Sequence, residues 1–195
     1  MTDSVYERVL GSDIGLLAPE LRRYFSGGHG VGVGNGVFEV AGCRLLILRP
    51  LLAYLARQCI LFPEYAHDVP FEIVNTPTAD GGLDAVRTFH LPGRDRRLED
   101  TMRVTDGRLH DFMGNKRGFE VRMALSISDG VLQMRSDRQW VRVFGMRVRI
   151  PQLATVAVSE SWAGEHQHVD VRLHTPLLGD WFRYAGSFSY EYRAG

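Results

Sequence analysis

Ser136, Arg138 and Glu160 are polar residues set within runs of alternating apolar ones, so they are the first candidates for chemistry. Two-residue turns fix which positions face each other across a hairpin. A turn at Asp129-Gly130 pairs Met123 with Ser136, Val121 with Arg138 and Phe119 with Trp140, while a turn at Gly164-Glu165 pairs Trp162 with Gln167 and Glu160 with Val169. If the longer connection over 144–153 centres near residue 149, Arg138 and Glu160 face each other on the apolar side, beside Tyr184 of the closing strand. Burial raises a carboxyl pKa and a neighbouring guanidinium lowers it, so such a pair reads either as a structural ion pair or as the polar handle of an apolar cavity. The ligand-binding candidates are therefore Arg138, Glu160, Ser136, Trp140, Trp162, Tyr184, Met123 and Met134. Glu160, His90 and Asp111 are the candidates for moving a proton.

Other constellations point nowhere specific. His166, His168, Asp170 and His174 share one strand face, but it lies opposite Val169, Val171 and Leu173 and reads as solvated, so no metal site is expected. Gly30, Gly32, Gly34 and Gly36 lack the preceding strand and following helix of a phosphate loop, and the Gly-Val-Gly-Val-Gly alternation suits a strand lying close to another backbone. The mixed-sign run from Asp95 to Asp100 reads as a solvated strand edge. Cys-x-x-Cys, His-Glu-x-x-His, Gly-x-Ser-x-Gly and Gly-Lys-Ser are all absent from the sequence. No cofactor is expected.

The elements that must position these residues follow from periodicity. Residues 4–25 read as a helical region broken at Gly11 and Gly15, and 50–61 as an apolar helix opened by Pro50. From Val69 onward the pattern is strand after strand, nine in all, joined by turns such as Asp106-Gly107 and Asp129-Gly130. The fold class is α+β, mainly antiparallel β: a strongly curved meander sheet or barrel, with the 50–61 helix packed on or in its concave side. The 195 residues form one domain, since no linker composition divides them. With 23 Lys+Arg against 23 Asp+Glu the chain is neutral, which argues against nucleic acid and disfavours contact with a membrane surface. An acidic N-terminus without an apolar leader suggests the cytoplasm.

The segments "RPLLAYLARQCILFP", "DVPFEI", "TFHLPG", "DGRLHDFMG", "FGMRVRIPQ", "SESWAG" and "PLLGDWFRYAGSF" together resemble the bacterial domain of unknown function numbered 4166. That family is often fused behind a saccharopine-dehydrogenase-like domain, here absent from a stand-alone chain. The resemblance, over roughly residues 5–190, implies an acid at Asp111 and a fixed Ser-Glu step at Ser159-Glu160; His90 departs from the family's small or aromatic residue. It implies no activity.

Three functions compete on these grounds. The first is enclosure of a lipophilic small molecule, apolar or amphipathic, within the curved sheet. The second is a cyclase, isomerase or lyase acting on such a molecule without metal or nucleotide. The third is a docking domain for a separate dehydrogenase, with a homodimer as a further partner.

Overall fold

Tight turns after residue 65 force neighbouring strands to run antiparallel, and the right-handed twist of so many strands closes the sheet on itself. A computed structural model of the chain describes residues 3–26 and 30–193. The strands are β1 (Val31–Cys43), β2 (Tyr65–Pro77), β3 (Leu83–Leu91), β4 (Arg94–Thr105), β5 (Arg108–Met113) and β6 (Phe119–Ser128). They continue as β7 (Val131–Val143), β8 (Met146–Ile150), β9 (Thr155–Ala163), β10 (His166–Thr175) and β11 (Gly179–Arg193). Ten of them close a barrel, β1 to β7 followed by β9, β10, β11 and back to β1, while β8 hangs on the far half of β7.

Two strands exceed the expected nine. β1 is the glycine-rich stretch, whose Gly34 and Gly36 lie opposite Tyr190 and Phe188 of β11 and leave room for those rings. A Cβ at Gly34 would sit 2.7 Å from Ile73 Cγ2 and 2.9 Å from Phe188 Cδ2. Gly34→Val is accordingly expected to destabilise the fold by about 1–3 kcal/mol in urea unfolding. The other addition, β8, follows a Phe144-Gly145 turn with both residues at positive φ (49° and 79°), which no Asp-Gly or Asn-Gly pair announces.

Both mouths of the barrel are filled. At one, α1 (Val5–Leu10) and α2 (Pro19–Phe25) bury Val5, Leu21 and Phe25 against Met102, Leu109 and Leu132. A capping box starts α1, with Ser4 Oγ accepting from the Glu7 amide at 3.1 Å and Glu7 Oε2 accepting from the Ser4 amide at 2.8 Å. This lid is tied down by the Ala18 amide donating to Gly130 O (3.1 Å) and Arg8 Nη1 donating to Gly81 O (2.9 Å). At the other mouth, α3 (Arg49–Arg57) inserts Leu52, backed by Leu61 and Phe62, against Phe89 and Phe182. The helix ends earlier than expected, because Cys59 adopts a left-handed backbone (φ 56°) before Pro63 is reached. Among the described residues no helix is long and apolar enough to cross a membrane.

Candidate functional site

The strands β3, β4 and β5 each send one charged side chain into the barrel. Along β3 the inward phase runs Leu83, Ala85, Arg87, Phe89, Leu91, so Arg87 stands among apolar neighbours. Asp100 on β4 pairs across from Ala85, and Asp111 on β5 pairs across from Met102, which places both carboxyls beside that guanidinium. Arg87 Nη1 donates to Asp100 Oδ1. Burial pushes the Asp111 carboxyl well above the usual carboxylate range, and the charge of Asp100 adds to it against the opposing pull of Arg87 and Arg117. These surroundings favour the neutral form of Asp111 beside the Arg87–Asp100 ion pair. A hydrogen bond between the Asp100 and Asp111 carboxyls also raises Asp111, and no other side chain or backbone group among the described residues reaches Asp100 Oδ2 or Asp111 Oδ1.

Glu160 faces this trio from β9, on the other side of the barrel. It is 7% exposed, and burial raises its pKa to about 7, with a hydrogen bond from Gln167 Nε2 and the charge of Arg87 pulling the other way. From the lid, Tyr6 and Tyr24 reach down toward the same space, their hydroxyls held well above the ordinary tyrosine range by burial first and the Glu160 charge second. Tyr184 of β11, also pushed up by burial, to about 12, completes the ring of polar groups. These residues enclose a cavity of about 90 Å³ whose apolar wall includes Met102, Met123, Met134 and Val158. A second hollow of about 250 Å³ lies between the lid and the β2–β3 turn and shares Tyr6, Tyr24, Asn75 and Leu83 with the first, a vestibule separated from the interior by that wall of side chains.

Residues 17–188 match the family model described as a domain of unknown function (DUF4166). The chain belongs to this family. Uncharacterized protein YndH of Bacillus subtilis (strain 168) is 28% identical over 204 residues, covering 97% of this chain and 98% of that protein. No solved structure matches the chain.

Of the residues singled out from sequence, Glu160, Asp111, Tyr184, Met123 and Met134 all line this cavity. Ser136 is buried, but its Oγ accepts from the Val156 amide (2.8 Å) and is used in holding β7 to β9. Trp162 is partly buried and packs into the cluster under the lid. His90 sits on the outer face, its Nδ1 2.9 Å from Asp95 Oδ1.

The facing pair of Arg138 and Glu160 does not form. Asp137 is an extra residue in β7, so Met123 pairs with Ser136 but Arg122 pairs with Arg138 and Val121 with Gln139. Beyond this bulge the alternation reverses: Gln139 is buried, where it donates to Ala154 O (2.7 Å) and accepts from the Leu153 amide (2.9 Å), while Arg138 is exposed. Trp140 also turns outward, into a buried outer cluster in which it stacks near His110 and under Arg147, whose guanidinium carbon is 3.9 Å from the indole centroid. β9 meets the other half of β7, with Glu160 opposite Leu132. Asp100 likewise departs from the solvated edge expected for 95–100, since it is 3% exposed.

Arg87, Asp100, Tyr6 and Tyr24 were not among the sequence candidates. A signal for the first two was present: a charged residue in the apolar phase of adjacent strands, as with Leu98, Asp100 and Met102 on β4.

Proposed function

We propose that this protein binds a small amphipathic molecule inside its barrel, admitted at the lid mouth past Tyr6 and Tyr24. The observation that carries this reading is the group of Arg87, Asp100, Asp111 and Glu160 gathered around one interior cavity. Buried ionisable groups are costly and add little net stability, so their concentration at a cavity supports a binding role. The carboxyl groups of Asp100, Asp111 and Glu160 retain acceptor lone pairs beyond their contacts with one another, which suits a ligand head carrying hydroxyl or amine donors. The methionines opposite are adaptable apolar surface for its body. Engineered apolar cavities of about 150 Å³ hold benzene. The interior at about 90 Å³ thus takes a short ligand, and a longer one extends into the vestibule.

Titration with short-chain alcohols and amines, read by NMR of labelled methionine methyls, tests the proposal. Saturable shifts are expected for Met102, Met123 and Met134, and Val158→Phe, which fills the cavity, should abolish them. Shifts that never saturate, or that persist in the filled variant, would sink the reading.

A second reading, proton transfer on the bound molecule, is favoured by one observation. Burial raises Glu160 to about 7 and also pushes Asp111 up, so one cavity holds two carboxyls suited to accepting and donating a proton. Solvent deuterium exchange into an acidic C–H of the bound molecule, lost in Glu160→Gln, is the result expected for it.

A further inference from the structure

The mouth closed by α3 is unlike the lid mouth in what it exposes. Here β1 ends and β2 begins, β7 turns into β8, and β10 turns into β11. Each of these three connections carries bare apolar side chains. Leu46 and Ile47 precede α3 and are 70% and 81% exposed, with Leu51 and Tyr54 following on the helix. Phe144 at the β7–β8 tip is 96% exposed and Leu177 in the β10–β11 turn 95%. Most of the large exposed apolar residues among those described lie on this one end.

Two of these connections carry charges of one sign. No Asp or Glu occurs from Arg44 to Pro63 or from Arg138 to Ser159, while these stretches carry Arg44, Arg49, Arg57, Arg142 and Arg149, all exposed. Glu64, Asp95 and Asp180 also lie at this end, but they are engaged by Arg94 and Arg96, by His90, and by Arg172 and His174, and no ion pair among the described residues reaches these five arginines. Neutral composition argued against a membrane surface, but the distribution of the charges reverses that argument.

Phe144 gives an independent sign. The β4–β5 and β6–β7 turns use Asp106-Gly107 and Asp129-Gly130, with φ of 51° and 68°, then 53° and 78°. Phe144-Gly145 adopts the same shape at 49° and 79°, with a bulky ring where Asn, Asp or Gly is favoured. The ring is not packed into the core, so it does not repay this strain within the fold.

We propose that the α3 end docks on an anionic lipid bilayer, with Phe144, Leu177 and the outer side of α3 entering the interface and the unopposed arginines meeting lipid phosphates. Separate apolar tips ringed by arginine match a soft, negatively charged surface, whose attraction for basic residues decays within a Debye length. The interior cavity plays no part in this contact.

Flotation of the full chain with phosphatidylcholine vesicles, with and without phosphatidylglycerol, tests the proposal. Binding is expected only with phosphatidylglycerol, and added salt should reverse it. Phe144→Asn and Arg49→Glu should each weaken it by about tenfold or more. Phe144→Asn relieves the strained turn, so its melting temperature should hold or rise while docking fails, which separates loss of docking from loss of fold. Failure to float with anionic vesicles, or flotation unchanged by Phe144→Asn, overturns the proposal. So does a concentration-dependent dimer that Phe144→Asn dissociates, in a chain that ignores vesicles; this face would then join two copies.

Discussion

Arg87→Met is expected to cost about 3–5 kcal/mol of unfolding free energy at pH 7, the usual penalty for leaving one member of a buried ion pair alone. The loss follows from what remains: Asp100, 3% exposed, keeps its carboxylate beside Asp111 with no guanidinium to oppose it. Arg87→Met combined with Asp100→Leu should recover most of it, because the pair together contributes far less than either partner's removal suggests. Urea unfolding of both variants at pH 5 and pH 7 provides the measurement. A single variant as stable as the parent at pH 7 would show that Arg87 is not the counter-charge described above.

Glu160→Gln should act in the opposite direction. In the folded chain this carboxyl has its pKa raised from 4.5 to about 7, chiefly by burial. The unfolded chain releases the proton at lower pH than the folded one, so the stabilising contribution is complete below about pH 4.5 and is lost as pH rises to about 7. The amide that replaces the carboxyl cannot ionise, and its carbonyl can still accept from Gln167, so the variant should be more stable than the parent at pH 8 by about 3 kcal/mol, and equal to it near pH 4. Thermal melts of both proteins across this range decide it. A gap that does not change with pH would mean that Glu160 is not the group titrating.

The β9–β10 hairpin shows what sequence arithmetic can reach. Gly164-Glu165 is a two-residue turn without a bulge, so the expected pairs from Trp162 with Gln167 to Val156 with Leu173 are those found. The β6–β7 hairpin shows the limit. Its pairs nearest the turn follow the expected register, but Asp137 adds one residue, and nothing local distinguishes an extra Asp from the ordinary polar member of an alternation. That single insertion moved Arg138 and Trp140 from the inside to the outside while leaving Glu160 in place. Phe144-Gly145 hid β8 for a related reason, since its φ values are imposed by the hairpin and not by a residue type that favours them. Arg87 and Asp100 were visible as charges in an apolar phase, yet their burial depends on a barrel wall completed by strands far away in sequence.

The pairing of β1 with β11 has a temporal consequence. Both lid helices emerge from the ribosome ahead of every strand, but the seat they occupy includes β6 and β7, and the ring is sealed only when the final strand arrives. Until β11 is made, β1 has one free edge and the barrel around the lid is unclosed. Closure consequently waits on a contact between strands about 150 residues apart (β1 at Val31–Cys43, β11 at Gly179–Arg193), of the kind that slows folding in barrels dominated by distant pairings.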